Sequence, residues 1–244
     1  SVSAREPAVP FQNYRVLTFD TFGTLIDWEA GMLPPLNELA RRSADGMSDE
    51  ALLALFGELE LAQQRATPGM RYRELLAVVY RQIAGRLGVS ADGAEAFGAS
   101  VPDWPAFADT AEALTRLREH FLLVTLTNCD RQSYRGAHAR LGVELDLVLT
   151  AQDVGAYKPE LRNFHVMLET LRQRFGVLPR EVLHVAQSLT HDHVPATALG
   201  LANVWINRRG GGGAAAPPGE PYRIDHEYPT MAEFATAVQR DFDA

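Results

Sequence analysis

The most constraining feature of the sequence is a regular alternation of short apolar runs and amphipathic segments in its second half. The apolar runs, rich in residues that favour strands, are FLLVTLT at 121–127, LDLVLT at 145–150, VLHVA at 182–186 and ANVWIN at 202–207. Apolar residues recur at helical spacing over 109–119, 131–141, 160–175 and 193–200. This alternation predicts an α/β fold, with a parallel sheet covered by helices on both faces.

A helical segment interrupts this pattern after the first strand. That strand, YRVLTF at 14–19, ends in DTFGT, where Gly23 permits a sharp turn. From about Met32 to Leu87 the apolar residues follow helical spacing with little strand signal, and IDHEY and MAEFATAVQRDF near the end predict a last strand and helix. The predicted division is a leader at 1–13, a core formed by 14–27 and 105–244, and a helical domain at 28–104.

Charge and composition exclude several function classes. A formal net charge of -8 argues against nucleic acid or an anionic membrane as the main partner, since both require concentrated Lys and Arg. Cys129 is the only cysteine, which excludes an intrachain disulfide and fits a reducing compartment, so a cytoplasmic location is expected. The first 13 residues lack the pattern of a secretion signal, and 208–221 is expected to be a flexible surface loop.

Polar residues that follow the predicted strands are the first candidates for a site. Ligands of open α/β sheets bind at the carboxyl ends of the strands, which singles out Asp20, Thr127, Asn128 and the loop 187–193. An ionised carboxylate at such a strand end can attack an electrophile and form an ester. Asp20 is therefore a candidate nucleophile, although an Asp that merely begins a turn is the alternative.

Four ordered segments resemble the motifs of the haloacid dehalogenase superfamily, and of its 2-haloacid dehalogenase branch in particular. They are FDTFGTLIDW at 19–28, TLTN at 125–128, AYKPE at 156–160 and HVAQSLTHDHVPATALGLANVWINR at 184–208. The resemblance implies a Rossmann-like core (the HAD fold) with a helical cap, and a hydrolase that uses no cofactor and no metal. It also implies that Asp20 is the nucleophile, that Lys158 orients it, and that Asp192 pairs with the lysine or activates water.

The residue two positions after Asp20 indicates the reaction class. Phosphatases of the resembled superfamily carry a second acid there, which protonates the leaving oxygen, whereas this chain has Phe22. A phenyl ring can neither donate a proton nor help to hold Mg²⁺. The sequence therefore favours attack on carbon over attack on phosphorus.

The remaining site predictions concern substrate binding. The side chains predicted to contact the substrate are Thr21, Phe22, Thr24, Trp28, Thr127, Asn128, Ser188, His191 and His193. Alternate residues of a loop can point apart, so the HDH sequence at 191–193 is not by itself a metal site. No metal ligands are predicted, and the resemblance is compatible with a homodimer that no sequence feature marks.

The chain departs from the resembled branch in the cap. Dehalogenases of that branch usually carry a cap arginine that anchors the halide or the substrate carboxylate, and Gly57 stands in the comparable place, between Phe56 and the acidic pair Glu58 and Glu60. An (S)-2-haloacid dehalogenase-like reaction on a small carboxylic acid is the first prediction. Ring opening of a strained cyclic amino acid such as azetidine-2-carboxylate is the alternative, followed by a Mg²⁺-dependent phosphatase or a non-catalytic binding protein.

Overall fold

The computed structural model of the chain describes residues 9–210 and 219–244. Its strands are β1 (Val16–Phe19), β2 (Leu122–Thr127), β3 (Leu147–Thr150), β4 (Val182–Ala186), β5 (Ala202–Ile206) and β6 (His226–Tyr228). They form one sheet in the order β3-β2-β1-β4-β5-β6, and every neighbouring pair is parallel. The predicted Rossmann-like α/β core is therefore confirmed.

Five α-helices of the described chain lie between the first two strands, and the first four of them are α1 (Trp28–Arg42), α2 (Asp49–Ala66), α3 (Tyr72–Leu87) and α4 (Ala94–Gly98). The others accompany the sheet: α5 (Thr110–Arg118), α6 (Arg131–Ala139), α7 (Ala151–Val154), α8 (Leu161–Phe175), α9 (Val194–Ala198) and α10 (Met231–Asp243). We call α1 to α4 the cap helices. The exact division of the chain into leader, core and cap domains stays a prediction.

The centre of the sheet places the candidate nucleophile. Strand β1 lies between β2 and β4, with Val16 in register with Leu122 on one side and Val182 on the other. All four residues of β1 are fully buried, as expected for a central parallel strand. The chain leaves this strand directly into Asp20, so the carboxylate lies at the carboxyl edge of the sheet, near its middle.

Side-chain hydrogen bonds and a glycine fix several ends of the cap helices. The Asp27 carboxylate accepts a hydrogen bond from the Ala30 amide at the start of α1, and the Ser48 hydroxyl does the same for Ala51 at the start of α2. Helix α3 ends at Gly88, whose left-handed conformation favours glycine. The buried side of α3 packs into the main apolar core through Leu75, Leu76, Val79 and Ile83, among others.

The sequence prediction differs from the structure at three helices, one of which is α7 (Ala151–Val154), a four-residue helix that the apolar spacing did not indicate. Helix α1 begins at Trp28, earlier than the apolar spacing suggests, and continues through Pro34 and Pro35. Helix α4, Ala94–Gly98, was not predicted, because five residues are too few to show a helical period.

The two segments expected to be loose are only partly described. Residues 1–8 of the predicted leader and 211–218 of the predicted surface loop lie outside the described residues. Within the leader, Phe11 is buried and its ring lies 5.8 Å from that of Phe234, so this side chain anchors the end of the predicted leader to the packed structure. At the start of the loop, the Arg208 guanidinium lies 3.8 Å from the centre of the Phe107 ring. No helix in the described part of the chain is long and apolar enough to span a bilayer.

The junction between cap and core depends on a close approach at Gly31. A Cβ at this position of α1 would lie 2.2 Å from Cδ1 of Trp104, a side chain that is 1% exposed. We predict that Gly31→Ala lowers the free energy of unfolding by about 1–3 kcal/mol, because the buried indole has little room to move. Urea denaturation measures the change.

Gly85→Ala is the matched control for this prediction. Gly85 also lies inside a cap helix, α3, but a Cβ there meets no atom within 4 Å. This substitution should raise stability by up to about 1 kcal/mol through helix propensity alone. Equal effects of the two substitutions would contradict the proposed packing of α1 against Trp104.

Candidate active site

Four predicted site residues meet at the carboxyl edge of the sheet. Asp20 follows β1, Asn128 follows β2, and Lys158 and Asp192 lie beyond the ends of β3 and β4. All four line a cavity of about 110 Å³ between the sheet edge and the cap helices. The whole lining consists of Asp20, Phe22, Trp28, Phe56, Gly57, Glu60, Gln64, Tyr72, Asn128, Lys158, Gln187, Ser188, His191 and Asp192.

The ammonium group of Lys158 connects two carboxylates. Its Nζ lies 3.2 Å from Oδ1 of Asp20 and 2.8 Å from Oδ1 of Asp192, and donates a third hydrogen bond of 2.7 Å to the carbonyl of Leu126. An ammonium has three donors, and these contacts use them all. Lys158 is 1% exposed, and burying its charge is tolerable only because both carboxylates face it.

The shared lysine divides charge unequally between the two acids. Burial raises the pKa of Asp20 to about 7, with the Lys158 charge opposing this shift and the Asp192 charge adding to it. For Asp192, burial is outweighed by Lys158 and then by His184, so its pKa lies below the usual range. Burial lowers the pKa of Lys158, but the two carboxylates more than offset this effect. Asp192 therefore remains ionised as the counter-ion of Lys158, while Asp20 titrates near neutral pH.

Asp192 is fixed from behind by residues that sequence reasoning missed. Nε2 of His184 lies 2.8 Å from Oδ1 of Asp192, and Nδ1 of His184 lies 2.7 Å from the hydroxyl of Thr18. Both residues belong to central strands and are fully buried. The carboxylate accepts only if His184 carries its proton on Nε2, which leaves Nδ1 to accept from Thr18. The sequence signal for this contact is a histidine inside an otherwise apolar strand, and the motif resemblance assigns that residue no role.

Thr24 and Asn128 hold Asp20 and Lys158 in place. The Thr24 hydroxyl donates to Oδ2 of Asp20 at 3.2 Å and accepts from the Gln187 amide at 2.9 Å. The Asn128 side chain makes two bonds to the backbone of Lys158, accepting from its N–H at 2.7 Å and donating to its carbonyl at 3.0 Å. Both side chains thus position Asp20 and Lys158, and Thr24 is not among the residues that line the cavity.

The cap supplies the opposite wall. Helix α2 contributes Phe56, Gly57, Glu60 and Gln64, while α1 and α3 begin with Trp28 and Tyr72. The Tyr72 hydroxyl donates a 2.6 Å hydrogen bond to Oε2 of Glu60. Burial raises the pKa of Glu60 to about 7, opposed by this hydrogen bond and increased by the Asp20 charge.

The loop after β4 meets the cap at one side of the cavity. The Ser188 hydroxyl accepts from the His191 amide at 3.1 Å and lies 3.0 Å from Nδ1 of the same residue. Nε2 of His191 lies 3.4 Å from Oε1 of Gln64, on cap helix α2. Burial lowers the pKa of His191 to about 4, so the ring is neutral at physiological pH.

Besides Thr24, three more residues predicted to bind substrate are not part of the cavity wall. The Thr21 hydroxyl lies 2.8 Å from that of Thr125 and 3.0 Å from that of Tyr134. His193 is fully buried, with Nε2 2.7 Å from the Ala186 carbonyl, and Thr127 is 1% exposed. Successive residues of a strand point to opposite faces, and these three side chains are buried in the scaffold. Their contact with the substrate stays a prediction.

The cavity wall also includes residues that the sequence did not single out, namely Phe56, Gln64 and Tyr72. Conversely, none of the arginines at the facing ends of α2 and α3, Arg65, Arg71 and Arg73, lines this cavity in the described part of the chain. Their positions on the helix surface depend on how the cap packs, which the motifs do not encode.

Comparison with known proteins was made by sequence and by structure. No family model and no curated protein matches the sequence. Among solved structures, a dehalogenase with an intermediate complex is 23% identical, with a TM-score of 0.76 and coverage of 91% of this chain and 96% of that one. An L-2-haloacid dehalogenase is 22% identical, with a TM-score of 0.75 and coverage of 93% and 99%.

A third structure is the L-2-haloacid dehalogenase of Xanthobacter autotrophicus with chloropropionic acid covalently bound. It is 15% identical, with a TM-score of 0.74, and the match covers 93% of this chain and 98% of that one. These likenesses extend over both the sheet and the cap helices, and at such low identity they concern the fold. The chain therefore has the fold seen in these dehalogenase structures.

Proposed function

We propose that this protein is a metal-independent hydrolase in which the Asp20 carboxylate attacks a carbon atom next to the carboxylate of a small acid. The observation that carries the proposal is the pairing of Asp20 with the buried Lys158 in a small cavity where Phe22 stands beside them. A carboxylate oriented by a lysine can attack carbon. The phenyl ring offers no acid for phosphoryl transfer.

In the first step, an Oδ atom of Asp20 forms a bond to the substrate carbon. The bond from that carbon to its leaving group breaks, and its electron pair goes to the leaving group. Lys158 holds Asp20 through Oδ1 and Thr24 holds it through Oδ2, which keeps the nucleophile oriented. The carbon is inverted, because the new bond forms opposite the departing one.

In the second step, water attacks the ester carbonyl of Asp20, and the product leaves with an oxygen that came from Asp20. The earlier prediction of Asp192 as general base stays a prediction. Its lowered pKa makes it a weak base, whereas its contacts with Lys158 and His184 suit the other predicted role, that of partner to the lysine. The Lys158 ammonium also stabilises the negative charge that returns to Asp20.

Two leaving groups remain candidates. The fold of L-2-haloacid dehalogenases supports a halide leaving from an (S)-2-haloacid. The second candidate, a strained ring nitrogen as in azetidine-2-carboxylate, is favoured by a specific observation: Glu60 lines the cavity from the cap and no cap arginine does so in the described residues. A carboxylate beside a departing halide would repel it.

The other classes considered fit less well. A Mg²⁺-dependent phosphatase needs acidic ligands around the nucleophile, and here Phe22 and the Lys158 ammonium lie beside Asp20. A non-catalytic binding protein would gain nothing from a fully buried lysine whose charge must be offset by two acids. A homodimer and a cytoplasmic location stay predictions.

The nucleophile is tested by Asp20→Asn. We expect this variant to lose at least 10³-fold in turnover of whichever compound the native enzyme accepts in a screen of 2-haloacids and azetidine-2-carboxylate, because an amide does not attack carbon. Asp45→Asn, which removes a charge from an exposed loop, is the control and should keep full activity. Turnover that survives Asp20→Asn would refute the proposal, and activity lost on addition of EDTA would favour the phosphatase.

The pH profile tests the ionisation of Asp20. Its folded pKa is raised to about 7, and only the carboxylate is nucleophilic, so activity is present above this pH and lost as pH falls below it. We expect kcat/KM to fall about tenfold per pH unit below the apparent pKa. Glu60 titrates in the same range, so the pH profile is repeated with Glu60→Gln. The fall in kcat/KM at low pH should remain in this variant. A flat profile between pH 5 and 8 would contradict the raised pKa.

A further inference from the structure

We propose that Glu60, together with the aromatic rings around it, forms a binding site for a protonated nitrogen of the substrate, on the cap side of the cavity. This inference rests on the proposed function and specifies its substrate class: a small amine or amino acid whose cationic nitrogen faces the cap. It concerns a residue that neither the motifs nor the fold assigns a role.

The first argument is the aromatic composition of the cavity wall. Four aromatic side chains line the cavity together with Glu60, namely Phe22, Trp28, Phe56 and Tyr72. Phe22 and Tyr72 stack at 6.5 Å between ring centres, and Trp28 lies 6.1 Å from Phe56. Aromatic faces attract organic cations, and a carboxylate among such rings is an arrangement that suits an ammonium group.

The second argument is the balance of charge. Three carboxyl groups line the cavity, those of Asp20, Glu60 and Asp192, against one permanently positive side chain among the described lining residues, Lys158. His191 does not add a charge, since burial lowers its pKa to about 4. The ammonium of Lys158 is already bonded to Asp20, Asp192 and a backbone carbonyl. A cation is therefore the ligand that the cap side attracts, and a halide is repelled there.

The third argument is that Glu60 is held in place by a hydrogen bond and not by an ion pair. Its Oε2 accepts the 2.6 Å hydrogen bond from Tyr72, while no cationic side chain pairs with it in the described structure. By contrast Glu58, two residues earlier on the same helix, is exposed to solvent. A bound ammonium would supply the missing positive charge and favour the ionised form of Glu60.

The site fits the first chemical step when the nitrogen is also the leaving atom. Asp20 forms a C–O bond to the ring carbon, the C–N bond breaks, and its electron pair stays on nitrogen. A ring nitrogen that enters with two protons leaves as a neutral primary amine, which takes a proton from water. Water then hydrolyses the Asp20 ester, so ring and water combine into an open-chain amino alcohol. An unstrained amine would not leave, so the ring strain must supply the driving force.

The test compares ligands of different charge in the same cavity. Asp20→Asn protein binds without turnover, and calorimetry measures its affinity for azetidine-2-carboxylate, for azetidine and for 2-chloropropanoate. Glu60→Gln is added to this background, with Glu58→Gln as the matched control on the same helix. We expect Glu60→Gln to weaken the binding of both amines at least tenfold and to strengthen the binding of 2-chloropropanoate. Glu58→Gln should leave the affinity for all three ligands unchanged.

Different outcomes would overturn the role of Glu60 and the role of Asp20. Loss of all three ligands to the same extent in Glu60→Gln would indicate a merely structural role and overturn the inference, as would unchanged binding of the amines. Asp20-dependent release of chloride with no binding of either amine would also overturn it, yet leave Asp20 as the nucleophile. Turnover that persists in Asp20→Asn would instead refute the proposed function itself.

Discussion

One buried ammonium group organises this site. Lys158 is enclosed by the protein, and its charge is stable there because Asp20 and Asp192 both contact it. The two acids are not equivalent: Asp192 is fully buried, has the shorter contact with Lys158 and also contacts His184, whereas Asp20 is 7% exposed and contacts Thr24. One carboxylate is therefore committed to holding the lysine, and the other is left oriented and reactive. This division of labour between two acids of the same type arises from their surroundings.

The fold brings these groups together from distant parts of the chain. Asp20, Asn128, Lys158 and Asp192 are separated by more than 170 residues in total, from 20 to 192, yet each follows a strand of one parallel sheet. The cap helices close the opposite side of the cavity. Core and cap thus have different proposed roles: the sheet edge provides Asp20 as the nucleophile, and the cap, through Glu60 and the rings near it, selects the substrate.

Much of this arrangement could be predicted from the sequence, for physical reasons. The strands and most helices follow from apolar periodicity, which is strong in β2 and α8, and Asp20 and Lys158 follow from motifs tied to strand ends. The features that the sequence does not reveal have equally physical causes. His193 and Thr21 point into the scaffold, because side-chain direction in a turn depends on backbone geometry that periodicity does not encode. The Tyr72 contact with Glu60 joins two helices, and such packing between helices has no local signature.

The central claim is that Asp20 becomes covalently joined to the substrate carbon, and isotope transfer in a single turnover tests it most directly. Enzyme in excess is mixed in H₂¹⁸O with azetidine-2-carboxylate or 2-chloropropanoate, whichever it turns over, and then digested with trypsin. The account predicts that the peptide 16–41, which contains Asp20, gains one ¹⁸O, while the first product carries ordinary oxygen from the carboxylate. Label found in the product, with this peptide unlabelled, would mean that water attacks the substrate directly and would contradict the account.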